Sequence, residues 1–168
     1  MATHELGPGS GRVFIKTGRA GLAARAGHDL TIEITKWSGQ ASPESVTAEF
    51  DLGSLAVREG TGGAKPLTDW DRREIESTAR KILGSDTTAS FVSSRIIPSS
   101  SGGAVEGRVT LHGRSQPVRL QVVNPAPDRY RGSATVRQSD FGITPYSGFF
   151  GALKLRDEVA VEFEIGFI

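Results

Sequence analysis

The stretch QSDFGITPY at residues 138–146 decides how the rest of the sequence is interpreted. It follows residues 130–136, whose apolar and small side chains alternate as in a half-buried strand. The triplet Asp-Phe-Gly at 140–142 breaks this alternation, and Pro145 removes a backbone donor, so regular pairing should end there. Two interpretations follow. One is a packed strand exit, which this motif alone favours, and the other is the rim of a ligand cavity formed by Phe141, Ile143 and Tyr146.

The same alternation recurs along the chain and predicts an all-β fold. Short connections, such as the turn at residues 112–115, indicate hairpins and therefore antiparallel pairing. Eight strands with one apolar face each favour a closed barrel, which leaves no exposed edge, over a two-sheet sandwich. We predict strands over residues 12–17, 30–37, 46–57 (with a bulge near Gly53), 88–97, 105–111, 118–122, 130–136 and 159–167.

One inserted helix is predicted over residues 68–83. Thr68 is a good N-cap and Asp71 can complete a capping box, while Gly84 ends the helix. Acidic residues come early in the helix and basic residues late, which complements its dipole. We prefer this explanation of the carboxylates to a metal site, because no histidine is spaced to join them.

Composition limits the classes of function. The 168 residues suit one domain, which we place at residues 11–168 after a flexible arm of residues 1–10. The net charge is +1 without a long basic block, which argues against nucleic acid as a partner. The chain has no cysteine, which excludes disulfides, thiolate catalysis and cysteine-ligated metals.

The N-terminus shows no basic segment followed by an apolar run, so no signal peptide is predicted. No apolar stretch approaches the length of about 18 residues that a transmembrane helix needs. We therefore expect a cytoplasmic protein.

Several motifs in order resemble the YceI-like, polyisoprenoid-binding family, over about residues 12–165. They are GHDL at 27–30, FDL at 50–52 with SLAV at 54–57, the helix start at 67–75, FVS at 91–93, the hairpin ending in LHG at 111–113, DFGI at 140–143, and DEV at 157–159. The resemblance implies an elongated, eight-stranded antiparallel, lipocalin-like barrel that holds a long isoprenoid, an isoprenoid quinone or a related lipid. Many relatives carry a secretory leader, and this N-terminus does not show one.

Together these observations favour a non-enzymatic carrier without a resident cofactor, apart from a bound polyisoprenoid or lipid. An apolar tube should bind prenyl chains more tightly as they lengthen, until the tube is full. Phe141 lies where the strand ends and the rim of the cavity begins, so we place it on the cavity lining. The candidate ligand-binding residues are Phe50, Phe91, Leu111, Leu120, Val122, Phe141, Ile143, Val161 and Phe163.

Two other classes of function remain open. A small hydrolase could use His28 and Asp29 with a serine such as Ser139, although no strained nucleophile turn is present. A barrel filled by its own side chains would be an interaction module without a ligand. A metal pair of His28 and His112 lacks a third ligand, so no metal is predicted.

Three further features of the sequence concern a cavity mouth, a dimer contact and a glycine-containing loop. Arg19, Arg25 and the pair Phe149-Phe150 could lie at a cavity mouth, where they would contact a head group or form a lid. The aromatic pair could instead be the contact of a homodimer. The glycines and Lys65 of the loop at residues 58–66 lack the spacing of a phosphate-binding loop, so we interpret this segment as a mobile connection.

Overall fold

The structure, a computed structural model, describes residues 3–20, 29–61, 66–148 and 153–167. Strands dominate it. In chain order they are β1 (His4–Leu6), β2 (Gly11–Lys16), β3 (Arg19–Ala20), β4 (Asp29–Ala41), β5 (Val46–Thr61), β6 (Thr88–Ser99), β7 (Gly102–Leu111), β8 (Arg114–Ala126), β9 (Arg129–Arg137), β10 (Ser147–Gly148), β11 (Leu153–Leu155) and β12 (Glu158–Gly166). A helix, α1 (Asp69–Leu83), and a 3₁₀ turn (Gln138–Phe141) complete the described elements.

Eight of these strands form a closed antiparallel barrel, which confirms the predicted fold class. The order around the barrel is β4-β2-β12-β9-β8-β7-β6-β5, and β5 pairs back onto β4. The short strands β10, β11 and β3 make a separate three-stranded sheet. Closure leaves each long strand paired on both sides, so inward and outward side chains alternate around the whole wall.

Residues 4–6 differ from the flexible arm that the sequence suggested. They form β1, which pairs with Gly39 to Ala41 at the far end of β4. Leu6 is buried there beside Val13 and Trp37, and a turn closed by Ser10 leads on to β2. The apolar side chain of Leu6 explains the difference, because it gains burial by pairing.

A bulge lies between β4 and β5 where Gly53 suggested one. The register shifts between Ile34 and Lys36, opposite the segment that contains Gly53. Ser54 holds the irregularity, since its Oγ accepts from the N–H groups of Thr35 and Lys36 at 3.0 and 2.9 Å and donates to the carbonyl of Asp51. Between the flanking pairs, β4 has only Thr35 whereas β5 has the three residues 52–54. The alternation of β4 changes at this irregularity, so Trp37 faces the interior.

Helix α1 begins as predicted. The side chains of Thr68 and Asp71 each accept from the other's backbone N–H, at 3.1 and 3.0 Å, and Gly84 caps the C-terminus. The helix lies against β5, where Arg80 donates to the carbonyls of Gly53 and Leu55. Its apolar side covers one end of the barrel.

Candidate ligand-binding cavity

The barrel interior has a packed end and a hollow end. At the packed end, here called the closed end, Leu30, Ile32, Ile34, Leu55 and Val57 form a buried cluster against α1. A second cluster of Ala89, Leu111, Phe141 and Ile143 adjoins it. This packing leaves no room for a ligand at the closed end, because each side chain is already covered by its neighbours.

The other end of the barrel, here called the open end, holds a cavity of about 560 Å³. This volume is typical of pockets that bind one small molecule. The wall is almost entirely apolar: its described lining residues are Leu6, Val13, Trp37, Ala41, Pro43, Val46, Ala48, Phe50, Phe91, Ile96, Ile97, Pro98, Gly102, Gly103, Ala104, Val105, Val109, Val118, Leu120, Val122, Ala134, Val136, Val161, Phe163, Ile165 and Phe167, with His4, Ser42, Asp128 and Tyr130 as the members with polar groups.

The floor of the cavity lies near the middle of the barrel. On each of six strands one inward residue lines the cavity and the next inward residue does not. These pairs are Val13 and Ile15 on β2, Trp37 and Ile34 on β4, Phe50 and Leu52 on β5, Phe91 and Ala89 on β6, Val109 and Leu111 on β7, and Val161 and Val159 on β12. Phe50 marks the boundary, since it packs against both closed-end clusters and stacks on Trp37 at 6.2 Å between ring centroids.

Aromatic rings surround the mouth. His4 on β1 stacks on Phe167 with ring centroids 4.2 Å apart, and Tyr130 tilts against the same phenyl ring at 5.3 Å. The turn between β8 and β9 places Asp128 beside them, and its carbonyl accepts from the N–H of Phe167 at 2.7 Å. The mouth therefore lies beside the N-terminal strand β1 and the end of β12, and it carries the polar groups of the cavity.

Two glycines make room for rings in the cavity wall. A Cβ on Gly132 would lie 2.1 Å from Cζ of Phe163, and a Cβ on Gly107 would lie 2.7 Å from Cζ of Phe91. Both distances are far inside van der Waals contact, so each ring occupies the space that a side chain at the glycine would need. This arrangement keeps Phe163 and Phe91 against the wall and leaves the centre of the barrel empty.

Six of the nine residues predicted as ligand-binding line the cavity: Phe50, Phe91, Leu120, Val122, Val161 and Phe163. The structure places the other three, Leu111, Phe141 and Ile143, in the closed-end cluster instead. The 3₁₀ turn folds Phe141 beneath the barrel, and Gly142 takes the left-handed conformation that ends the turn, with φ of 76°. The stretch 138–146 thus closes the barrel opposite the mouth. A role in ligand binding for any of the nine residues stays a prediction.

The sequence interpretation missed Trp37, the proline and isoleucines at residues 96–98, and the aromatic mouth. Trp37 breaks the alternation of Leu30, Ile32 and Ile34, and only the bulge explains its inward position. Phe167 was included in a strand but not as a lining residue. The sequence indicated the position of Phe167 only through the length of the C-terminal alternation. In the structure this alternation extends beyond the residues of β12 that pair with the neighbouring strands.

The alternative catalytic and metal sites gain no geometric support from the described residues. Ser139 donates to the carboxylate of Asp157, which also accepts from the Ser139 N–H at 2.8 Å. These bonds hold the pKa of Asp157 below its usual value. Asp29 pairs with Arg19 at 3.0 Å, and His28 lies outside the described residues. Within residues 3–20, 29–61, 66–148 and 153–167, no cluster of three metal-binding side chains occurs.

His112 acts as a structural link at the closed end. Its Nε2 lies 2.9 Å from the Leu83 carbonyl oxygen and its Nδ1 lies 3.3 Å from that of Phe141. The ring therefore bridges the end of α1 and the 3₁₀ turn. His112 and Gly113 both have positive φ, of 53° and 70°, as in the tight hairpin that the sequence suggested.

Arg19, which the sequence also suggested for a cavity mouth, does not line the cavity. Arg19 lies in the small sheet with β10 and β11, where it pairs with Asp29. Arg25, Phe149 and Phe150, like Lys65 in the glycine-containing loop, lie outside the described residues. In the part of the chain that the structure describes, no helix is long and apolar enough to cross a membrane.

Comparisons with known proteins agree with this geometry. The sequence model of the YceI-like domain matches residues 15–167. Among solved structures, Burkholderia cenocepacia BcnA is similar at a TM-score of 0.62 and 18% identity, over 94% of this chain and 96% of that one. A mutant of the Campylobacter jejuni YceI protein with a monobromobimane guest follows at a TM-score of 0.51 and 10% identity, over 82% and 84%. No curated protein sequence matches significantly.

Proposed function

Because this chain belongs to the YceI-like family, we propose that it is a non-enzymatic carrier that holds the apolar tail of a polyisoprenoid, isoprenoid quinone or related lipid inside its barrel. The observation that carries the proposal is the cavity of about 560 Å³ with an almost wholly apolar wall. Water in such a space would find few partners, so an apolar ligand gains by replacing it. A cytoplasmic location and a homodimer remain predictions within this proposal.

The apolar wall also favours binding over catalysis. A hydrolase needs a nucleophile, a base and an oxyanion site close to the bound substrate. The described lining offers His4, Ser42, Asp128 and Tyr130 as its side chains with polar groups, and all four lie around the mouth. The His4 ring is occupied in stacking on Phe167. We therefore propose that the protein releases its ligand unchanged.

A matched pair of substitutions on β8 tests the proposal. Val122 lines the cavity, whereas its neighbour Val123 points outward and is 49% exposed. Val122→Trp should fill the cavity and weaken binding of a prenol at least about tenfold, because each excluded methylene loses about 0.8 kcal/mol. Val123→Trp should bind like the unmodified protein. Titration calorimetry measures both affinities, and thermal unfolding checks that both variants fold.

Native mass spectrometry of the protein purified from its host identifies the ligand. A co-purifying lipid or prenyl species that Val122→Trp lacks and Val123→Trp retains would support the carrier. Absence of bound lipid, together with no affinity for any prenol, would reject the carrier and favour an interaction module. Turnover of an ester by the unmodified protein that His28→Ala abolishes would instead favour the hydrolase.

A further inference from the structure

We infer that the cavity holds only about three to four isoprene units of a ligand whose head group is uncharged. The rest of a longer chain stays outside the barrel. This inference rests on the proposed function and adds a length limit and a head-group class. Two measurements of the cavity, its depth and its volume, set the length independently. The charge of the mouth sets the head group.

The depth follows from the strands that line the cavity. On β7 the lining extends from Gly102 to Val109, and on β9 it extends from Tyr130 to Val136. At about 3.3 Å per residue these segments are about 20–23 Å long, and a strand tilt of about 40° reduces the depth along the barrel axis to about 15–18 Å. An extended isoprene unit adds about 5 Å, from four carbon–carbon bonds of about 1.5 Å. The depth thus holds about three units.

The volume gives a similar answer. A methylene-sized group occupies about 30 Å³, close to the share of one water molecule in the liquid. The cavity of about 560 Å³ therefore holds the equivalent of about 19 such groups, or nearly four isoprene units. The packed closed end prevents a longer tail from continuing down the barrel. Phe50 forms the floor at this point.

The mouth favours an uncharged head group. Among the described lining residues there is no lysine or arginine, and Asp128 contributes a carboxylate. The neighbouring Arg131 is on the outer face, where it pairs with Glu164 at 3.7 Å. A diphosphate at the mouth would meet the Asp128 carboxylate, and none of the described lining residues is a lysine or arginine that could balance the charge. A hydroxyl or carbonyl head group avoids this cost and can hydrogen-bond to Tyr130 or Ser42.

Titration with prenols of two, three, four and eight isoprene units tests the length limit. Each unit up to the third or fourth should raise affinity about tenfold or more, and the step from four to eight units should change it by less than about twofold. A further steep rise from four to eight units would overturn the length limit while leaving the carrier function intact. Failure of every prenol to bind would instead reject the proposed function itself.

Two substitutions should move the limit in opposite directions. Ala134 lines the cavity midway along β9, so Ala134→Leu should lower the saturating length by about one unit, whereas Ser133→Leu on the exposed face should leave it unchanged. Phe50→Ala should open the floor and raise the saturating length. If Phe50→Ala fails to fold, Ala134→Leu and its control still decide the matter. An unchanged saturating length in Ala134→Leu would overturn the inference.

A comparison of farnesol with farnesyl diphosphate tests the head group. The two ligands share the same tail, so any difference in affinity comes from the head. We expect the diphosphate to bind at least about tenfold more weakly at low salt, and Asp128→Asn to reduce that difference. Equal or tighter binding of the diphosphate would overturn the assignment of an uncharged head group.

Discussion

Gly132 shows how one missing side chain shapes the cavity. Phe163 lies so close to its backbone that even a methyl group at residue 132 has no room. The space in front of the ring is cavity, so a displaced Phe163 would move inward. The same relation holds between Gly107 and Phe91 on the opposite part of the wall.

Gly132→Ala should therefore weaken ligand binding by pushing the Phe163 ring into the cavity. The overpacking should also lower the free energy of unfolding by about 1–3 kcal/mol. Calorimetric titration with farnesol and chemical unfolding measure the two effects. The double variant Gly132→Ala with Phe163→Leu should recover most of the affinity, because the smaller side chain no longer clashes. An unaffected affinity in the single variant would show that the ring finds room elsewhere.

Substitutions of Phe141 and Phe163 should separate effects on folding from effects on ligand binding. Phe141 is 5% exposed within the closed-end cluster, while Phe163 lines the cavity. Phe141→Ala should cost about 3–5 kcal/mol of unfolding free energy and leave the affinity of the folded protein within about twofold. Phe163→Ala should change the affinity. If Phe141→Ala weakens binding as strongly as Phe163→Ala, then the sequence-based placement of Phe141 on the lining was right.

At the scale of elements, the bulge shows what sequence alternation can and cannot predict. Gly53 indicated an irregularity, and the structure has one opposite Thr35. Its effect on Trp37 was not predictable, because a change of alternation at a bulge moves every later side chain of the strand to the other face. Strand positions thus follow from alternation, but the face of Trp37 depends on the hydrogen bonds that Ser54 makes across the strand pair.

Alternation also does not distinguish packed strands from hollow ones. Leu30, Ile32 and Ile34 in the packed end show the same pattern as Val118, Leu120 and Val122 in the cavity wall. The difference comes from what covers each end, since α1 and the 3₁₀ turn contribute side chains only to the closed end. Six candidate lining residues were predictable as inward positions, whereas the level of the floor required the tertiary arrangement.

On the outer face, the strands β2, β4 and β5 are joined by a charged cluster. Glu33 accepts from Arg12 at 2.7 and 3.1 Å and from Arg58 at 2.9 Å. The hydrogen bonds from Arg12, followed by those from Arg58 and the charges of both groups, lower the pKa of Glu33 from its ordinary value of 4.5 to about 2. The ionised carboxylate therefore stabilises the folded state.

This shift predicts a pH dependence with a definite sign. The stabilisation is complete above the unfolded pKa and is lost as the pH falls through the folded pKa, so the window runs from about 4.5 to about 2. Acidification through that window should lower the melting temperature of Glu33→Gln less than that of the unmodified protein. Glu162→Gln, which removes an exposed pair with Lys16, is the control and should change the profile little. Parallel melting profiles for the Glu33 variant and the unmodified protein would contradict the prediction.

At the scale of the whole molecule, the two ends of the barrel have separate tasks. The closed end holds two of the buried clusters, the helix and the His112 bridge, whereas the open end holds the cavity. A ligand that fills the cavity stabilises only the folded protein, by about 2.7 kcal/mol at a free concentration 100 times the Kd. That stabilisation should be greatest near the groups that the ligand contacts.

Hydrogen exchange with and without farnesol tests this division. Amides of β4 near Ile32 should exchange slowly in both states, since they lie beside the packed cluster. Added protection should concentrate in β1, in the turn between β6 and β7, and at the end of β12 near Phe167. Uniform protection throughout the barrel would contradict the separation of the two ends.

The two tryptophans lie in contrasting surroundings, and this has a spectroscopic consequence. Trp37 stacks on Phe50 at the cavity floor and is 8% exposed, whereas Trp70 on α1 is 63% exposed. Iodide in solution can reach Trp70 but not Trp37. The emission that persists in iodide thus belongs to Trp37, and it should shift when a tail reaches the floor. Trp70→Phe would leave a single tryptophan, whose selectively excited emission reports, without any attached dye, whether the tube is filled to its base.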